Sequence, residues 1–295
     1  NHNNLCSIKN YYRFAFTKIG NLYRSILYFA AWAKRTLALN RAKLKGVKME
    51  IILTNDDGIW APGLRSMYEA LWAAGHNVHV VAPKSQQSAV GHAVTLSSPL
   101  RIKKVKENNF RGYAISGSPV DCVKIALGSV LSFEPDLLIS GINNGPNVGV
   151  DVLYSGTVSA ATEAALANIP ALAVSINEFH PRDLTEHARY VVDFIERQNW
   201  KQLPPRRVLN MNFPYCNLEE SRGLKLCPQT QAVYEDWYEK RVDPRGNPYY
   251  WLCGEILPEN LEPDTDKTFL DQGYITLTPL TFDFTDWELL EKLNA

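Results

Sequence analysis

The sequence has little cysteine and no apolar run long enough to cross a membrane. Its five cysteines among 295 residues form no C-x-x-C pair, and their odd number and irregular spacing argue against a disulfide scaffold and a zinc site. We therefore expect reduced thiols and a cytoplasmic protein. The apolar run at residues 25–33 reaches only about half of the ~20 residues that a span needs. The formal net charge of zero argues against a nucleic-acid binder or a polybasic membrane protein.

Acidic residues are absent from the first 48 residues, which contain ten Lys and Arg. The other 247 residues therefore carry 21 basic and 31 acidic side chains. This change indicates a boundary between a basic leader, residues 1–48, which we do not expect to belong to the fold, and an enzyme-like body. The leader is compatible with a secretory signal, because residues 25–33 follow basic residues and end in an A-x-A pattern, and with an organelle transit peptide. It is equally compatible with sequence upstream of a start at Met49 or with a poorly ordered tail.

From Met49 onward, short apolar segments alternate with amphipathic ones. Pro62 opens one predicted helix. Ser118 as cap, with Asp121 three residues later, opens another. Strands are predicted at residues 49–54, 78–82, 136–140 and 170–176, a hairpin-like region at residues 92–106, and a helix of small residues at 157–168. Continuous apolar strands separated by helices predict an α/β fold with a parallel sheet covered on both faces.

Strands dominate beyond Arg206, so we divide the body into a core at residues 49–205 and a strand-rich part at residues 206–295. Within residues 234–254, five large rings surround a Pro/Gly turn, which predicts a long hairpin: Trp237, Tyr238, Tyr249, Tyr250 and Trp251. So many rings on a short element favour burial in another subunit over packing on the chain's own core. We expect this arm, about residues 231–254, to mediate oligomerisation.

Three loops follow apolar strands, and in a parallel sheet they would emerge at the same carboxyl edge, where ligands bind. The first places Asp56 beside Asp57 at the end of a buried strand, where a cation would offset their repulsion and desolvation. The second, residues 85–92, supplies hydroxyls and His92, a candidate base that is more often a packed side chain. Taken alone, each of these loops is better explained as an ordinary turn or a solvated loop.

The third loop, residues 141–151, is rich in Gly and Asn and leads to a helix start at residues 155–157. Its glycines allow close approach to a ligand, and its Asn side chains offer neutral oxygens to a cation. The helix start presents backbone N–H groups and two hydroxyls, which predicts a phosphate site. Two carboxylates, a hydroxyl and an amide are all oxygen ligands, which select Mg²⁺, Mn²⁺ or Ca²⁺ over zinc. A hard dication beside an anion-binding helix start indicates a phosphate ester substrate.

The same loops carry three motifs in order: TNDDG, APxxxxSxxGH and SGxNxGxNxGxDxxYSGT. In these motifs the chain from Met49 to near its C-terminus resembles the survival protein SurE family of 5′-nucleotidases. The resemblance implies a Rossmann-like three-layer α/β sandwich with a mostly parallel sheet, a C-terminal β-hairpin arm and a terminal helix. It also implies homodimers or homotetramers that exchange C-terminal elements. The implied activity is hydrolysis of nucleoside 5′-monophosphates and often 3′-monophosphates, and in some members of short polyphosphate.

The resemblance further implies a divalent-metal site formed by Asp56, Asp57, Ser88 and Asn143, with Mg²⁺ or Mn²⁺ as the ion and Ca²⁺ as an alternative occupant. Asp56 and Asp57 are the predicted catalytic residues, one of which would accept the proton of the attacking water. The predicted substrate and phosphate ligands are Asn143, Asn147, Ser155, Gly156 and Thr157. Because phosphate-ester cleavage needs mainly positioning and charge neutralisation, no Cys, Ser-His or Lys nucleophile is required.

A different class of function is a non-catalytic nucleotide or phosphate sensor that acts through partners of its aromatic arm. The pair of Asp56 and Asp57 argues against it, since an anion binder gains nothing from two carboxylates facing a phosphate without a metal. Release of inorganic phosphate from nucleotides with and without EDTA would separate the two hypotheses.

Overall fold

The computed structural model describes residues 48–180 and 183–294. The predicted leader, apart from Lys48, lies outside these residues. The chain divides into two compact units. The larger comprises residues 48–192 and 200–295 and contains every strand of the described residues. The smaller comprises residues 1–47 and 193–199, of which only residues 193–199 are described, as the end of a helix and the turn after it.

Eleven strands are found in the described residues: β1 (Glu50–Thr54), β2 (Asn77–Pro83), β3 (Ile102–Glu107), β4 (Phe110–Ile115), β5 (Leu137–Asn144), β6 (Ala171–Ile176), β7 (Arg207–Phe213), β8 (Leu224–Leu226), β9 (Glu235–Val242), β10 (Pro248–Glu255) and β11 (Ile275–Thr281). Nine of them form one sheet in the order β3-β4-β2-β1-β5-β6-β7-β11-β8. Pairs in the centre, from β4 to β7, are parallel, whereas β3 with β4 and β7 with β11 are antiparallel.

The described α-helices are α1 (Pro62–Ala73), α2 (Pro119–Ile125), α3 (Asp151–Tyr154), α4 (Gly156–Leu166), α5 (Thr185–Ile195), α6 (Asp266–Asp271) and α7 (Trp287–Leu293). Pro62 occupies the first turn of α1, as predicted, and the apolar stripe of α1 is buried. Ser118 and Asp121 form the predicted capping box of α2. None of these helices has both the length and the apolar character that crossing a membrane requires.

Helices cover the sheet because its central strands are apolar on both faces. Ile51, Ile52 and Leu53 of β1 are all fully buried, and successive side chains of a strand point to opposite faces. Helix α1 packs on β1, β2 and β5, while α2 and α4 pack on each other. The apolar core beside α2 and α4 includes Ile52, and Leu138 and Ala173 from β5 and β6. The predicted α/β sandwich with a mostly parallel sheet is therefore confirmed.

Several predicted boundaries were wrong. The hairpin predicted to end at Lys106 consists instead of β3 and β4, and ends at Ile115. Strand β5 continues through four residues assigned to the third loop, with a register shift between Ser140 and Asn143. Helices α5 and α6 had not been predicted. The errors at the hairpin and at β5 follow from strand pairing, which depends on residues distant in sequence.

The aromatic arm is a two-stranded antiparallel hairpin of β9 and β10, separate from the main sheet. Asp243 organises its tip, since its carboxylate accepts hydrogen bonds from the backbone N–H groups of Arg245 and Asn247. The five Trp and Tyr side chains on its strands are 40 to 67% exposed: Trp237, Tyr238, Tyr249, Tyr250 and Trp251. The terminal helix α7 follows β11 after a short connection.

Candidate functional site

The turn after β1 is closed by Asn55, which lies between the strand and the acidic pair. Its side-chain Nδ2 donates to the carbonyl of Gly58 at 3.0 Å, and its Oδ1 accepts from the N–H of Gly58 at 3.2 Å. Gly58 has a φ of +99°, a conformation that favours glycine. This closed turn holds Asp56 and Asp57 at the carboxyl end of a buried strand.

Asp56 is buried and points to the start of α4. The hydroxyl of Thr157 donates to its Oδ1, and the backbone N–H groups of Gly156 and Thr157 also bond to this carboxylate. A methyl group placed on Gly156 would lie 2.7 Å from Cβ of Asp56, so only glycine allows the helix to come this close. Burial raises the pKa of Asp56, and the hydrogen bonds from Thr157 and Gly156 oppose that rise.

Asp57 is less buried than Asp56 and faces the end of β5. Its Oδ2 accepts a hydrogen bond of 3.1 Å from the backbone N–H of Asn144. Burial, followed by the neighbouring charge of Asp56, raises the pKa of Asp57 to about 6. Ionisation of both carboxyl groups is therefore unfavourable unless a cation compensates their charges.

The loop after β2 lies against this turn. The N–H of Gln87, the residue before Ser88, donates to the carbonyl of Asp56 at 2.7 Å. Ser88 is exposed, and its Oγ accepts a hydrogen bond from Gln86 at 2.9 Å. Its hydroxyl is thus at the surface of the site.

His92 lies near the end of the same loop, but its ring faces α4. Its Nε2 lies 2.9 Å from a carboxylate oxygen of Glu163, whose other oxygen is 2.6 Å from Nζ of Lys124. Glu163 is two turns along α4 from the acidic site. These contacts support a role for His92 in fixing the loop to α4.

The Asn residues after β5 have different environments. Asn143 donates from Nδ2 to the carbonyl of Gly145 at 2.7 Å, so its Oδ1 is the end of the amide that can approach a cation. Asn147 is bound into the fold: its N–H donates to Asn212 and its Nδ2 to Ser175. The contacts of Asn147 support the shape of the loop, and its predicted role in phosphate binding stays a prediction.

Ser155 caps α4, since its Oγ accepts a hydrogen bond from the N–H of Val158 at 3.0 Å. Thr157 already donates its hydroxyl to Asp56. Both hydroxyls of the predicted phosphate site therefore have partners in the protein. The backbone dipole and the N–H groups of α4 remain directed at the acidic pair.

Sequence reasoning missed Asp266, which anchors the third loop from a distance of 117 residues. Asp266 is fully buried, and its carboxylate accepts hydrogen bonds from the N–H groups of Gly149 at 2.9 Å and Thr230 at 2.8 Å. Gln229 also donates to the carbonyl of Gly149, at 2.7 Å. The short polar segment that contains Asp266 gave no signal of this role, because its partners are all backbone groups.

Tyr234, which precedes β9, ties the base of the arm to the same loop. Its hydroxyl lies 3.1 Å from Oδ2 of Asp151. Burial, with the nearby charge of Asp151, raises the pKa of Tyr234 to about 12, so the phenol is protonated and donates this bond. The N–H of Gly91 donates to the carbonyl of Tyr154 at 2.9 Å, which connects α3 to the second loop.

The structure thus brings together the three predicted loops at one edge of the sheet. Asp56, Asp57, Asn143 and the start of α4 converge there, and the loop that carries Ser88 is bonded to the backbone of Asp56. In the described part of the chain, no group of three or more His, Cys, Asp and Glu side chains could hold a metal ion. The predicted ligand set contains only two residues of those types, and its other members are a hydroxyl and an amide.

Comparison with known proteins places this geometry in a family. The profile described as Survival protein SurE matches residues 51–236. A protein of Solidesulfovibrio magneticus named 5′-nucleotidase SurE is 57% identical over 247 residues, which are 84% of this chain and 97% of that protein. A protein of Oleidesulfovibrio alaskensis with the same name is 58% identical over 246 residues, covering 83% and 95%. The crystal structure of the SurE protein from Aquifex aeolicus matches with a TM-score of 0.72 at 35% identity, covering 83% of this chain and 98% of that one. The chain belongs to the survival protein SurE family.

Proposed function

We propose that the chain is a 5′-nucleotidase, a divalent-metal-dependent phosphomonoesterase that hydrolyses nucleoside 5′-monophosphates to nucleoside and phosphate. The names of relatives more than 50% identical over most of the chain support the nucleotidase activity. The observation that carries the chemistry is the pair of Asp56 and Asp57 at the carboxyl end of β1, packed against the start of α4 and the end of β5.

The residues present fit a divalent cation. Burial raises the pKa of both carboxyl groups, and Asp56 adds to this rise at Asp57, so the site lacks a positive charge that a cation would supply. Asp56, Asp57, Ser88 and Asn143 would hold the ion through oxygen atoms, which favours Mg²⁺ or Mn²⁺ and permits Ca²⁺. When bound, such an ion neutralises phosphoryl charge and lowers the pKa of a water molecule.

Asp57 is the better placed of the two carboxylates to take a proton from the attacking water. Asp56 is fixed by Thr157 and by two backbone N–H groups, which leaves it little freedom to change protonation state. In Asp57, Oδ2 accepts the N–H of Asn144, and Oδ1 is the atom that would accept the proton.

The substrate phosphate would lie between Asn143 and the start of α4. The dipole of α4 favours negative charge there. Thr157 and Gly156 contribute to this field through the N–H groups that hold Asp56, and Ser155 caps the helix by accepting the N–H of Val158. Cleavage then depends on positioning and charge neutralisation, without a covalent nucleophile from the protein.

The finer activities also belong to the proposal. They comprise hydrolysis of nucleoside 3′-monophosphates and of short polyphosphate. We further propose that the protein is cytoplasmic, which the four free cysteines among the described residues support: Cys122, Cys216, Cys227 and Cys253. The exposed rings of the arm support a homodimer or homotetramer formed through residues 231–254. The domain division at residue 206 also stays a proposal.

A metal-by-nucleotide panel tests the function. Phosphate release from 5′- and 3′-monophosphates and from tripolyphosphate is measured with Mg²⁺, Mn²⁺, Ca²⁺ or EDTA, on the full chain and on a version that starts at Met49. We expect release from 5′-monophosphates that EDTA abolishes. Asp56→Asn, Asp57→Asn and Asn143→Ala should each lower kcat/KM steeply. Near-normal hydrolysis by Asp56→Asn would contradict the assignment, and nucleotide binding without metal-dependent release would favour the sensor.

A further inference from the structure

An exposed aromatic ring lies directly on the loop that carries the candidate ligands. Phe179 follows β6, and its side chain is 68% exposed. The N–H of Gly145 donates to the carbonyls of Ile176 and Glu178, at 3.0 and 3.1 Å, so the segment that carries Phe179 is bonded to the third loop. The ring is therefore held at the rim of the site.

Gly145 is the surface on which this ring rests. A methyl group placed on Gly145 would lie 2.8 Å from Cε1 of Phe179 and 3.2 Å from Cδ1. The ring thus contacts the bare backbone of Gly145, whose φ of +103° also favours glycine. No side chain of residue 145 separates the ring from the loop, and the other side of the ring faces solvent.

The ring lies on the loop that also contacts Asp57 and carries Asn143. The carbonyl of Gly145 accepts the hydrogen bond from the side chain of Asn143, and the N–H of the intervening Asn144 binds Asp57. A phosphate held by Asn143 and the start of α4 would place the rest of its ester near the third loop. A nucleotide bound in this way would present its base, the apolar, planar part of the molecule, to the ring.

We propose that Phe179 determines specificity for nucleotides by stacking on the nucleobase of the substrate. This inference rests on the nucleotidase activity proposed above and adds the group that recognises the nucleoside. Stacking on a ring uses the face that every base has, so it distinguishes nucleotides from simpler phosphate esters without selecting one base. It acts on substrate binding and leaves the chemistry at Asp56 and Asp57 unchanged.

Two substrates separate base recognition from phosphate chemistry. AMP carries a base, and ribose 5-phosphate has the same phosphate and sugar without one. Phe179→Ala should raise KM for AMP by about 5- to 30-fold and leave kcat within about twofold, because a ring stacked on a base contributes to binding. Both constants for ribose 5-phosphate should stay within about twofold. Phe179→Leu keeps an apolar contact with Gly145 and should behave like the Ala variant, and Phe179→Trp should retain tight binding of AMP.

Phe284→Ala is the matched control. Phe284 is 85% exposed and follows β11, which runs antiparallel to β7 and ends at the opposite edge of the sheet. Its loss should change neither substrate. An equal loss of activity by Phe179→Ala on both substrates, or an unchanged KM for AMP, would overturn the inference alone. A wild-type protein that releases phosphate from neither substrate would reject the proposed function and this inference with it.

Discussion

Replacing Asp57 with Asn should stabilise the metal-free protein while it abolishes the proposed activity. The pKa of Asp57 is about 6 in the folded chain, against an ordinary value of 3.8. For a fully buried group that difference corresponds to about 3 kcal/mol of unfavourable free energy in the ionised form at pH 7. Solvent screening of the partly exposed carboxylate reduces this to about 2 kcal/mol. Asn keeps an oxygen that can accept the N–H of Asn144, so this bond need not be lost.

The sign of the pH dependence follows from proton binding. Because the pKa of Asp57 is higher in the folded chain, the folded chain binds more protons than the unfolded chain between about pH 4 and pH 6. The contribution of Asp57 to stability therefore falls as pH rises through that window. The advantage of Asp57→Asn should be absent below about pH 4 and complete above about pH 7.

The assay is thermal and urea unfolding of both proteins in EDTA across this pH range. An advantage of about 2 kcal/mol corresponds to about 4 to 8 °C in Tm for a body of this size. The matched control is Asp121→Asn, since hydrogen bonds from Thr95 and Ser118 outweigh burial and lower the pKa of Asp121. That variant should lose stability at pH 7. An Asp57→Asn protein that is less stable than wild type at pH 7 in EDTA would refute the reasoning.

Three further substitutions test the contacts around the site. Asp266→Asn removes an acceptor from the loop at Gly149, so amide exchange in residues 145–151 should become at least about tenfold faster and kcat/KM for AMP should fall about tenfold. Thr157→Val removes a hydrogen bond to the carboxylate of Asp56, and half-saturation by Mn²⁺ should need about tenfold more metal. His92→Ala should change kcat/KM less than about threefold, because its ring pairs with a residue two turns along α4.

Matched variants give these three tests their controls. Glu262 is near Asp266 in sequence, and its carboxylate accepts hydrogen bonds from Thr230 and Gln231. Glu262→Gln alters these contacts and should leave amide exchange in residues 145–151 unchanged. Thr157→Ser keeps the hydroxyl and should keep the metal affinity. Faster exchange throughout the sheet in Asp266→Asn would indicate general destabilisation instead of a loosened loop. A loss at His92→Ala as large as the loss at Asp56→Asn would make His92 a general acid or base.

The central architecture could be predicted because its signals are local. Apolar strands such as β1 and β6, the Pro at the start of α1 and the capping box of α2 each depend on a few adjacent residues. Parallel pairing then requires the loops after β1, β2 and β5 to meet at one edge, and they do. The candidate site could be predicted from the sequence for the same reason.

The partners of the site residues could not be predicted in this way. Thr157 lies 101 residues from Asp56, and Asp266 lies 117 residues from Gly149. Neither pairing has a sequence pattern, since one uses a single hydroxyl and the other uses backbone N–H groups. The antiparallel addition of β11 beside β7 likewise depends on contacts that the periodicity of either strand does not contain.

The bonds between the base of the arm and the third loop have a practical consequence for protein engineering. A designer who wants a monomer would naturally delete the hairpin, residues 231–254, and close the gap with a short linker. That deletion removes Tyr234, which holds the loop by its bond to Asp151. It also places the new junction beside Thr230, which is bonded to Asp266, the residue that holds Gly149. Such a protein would lose nucleotide turnover even if assembly were irrelevant to catalysis. Replacing the exposed rings of β9 and β10 by polar residues, with the base of the arm intact, is the safer route to a monomer that keeps its site.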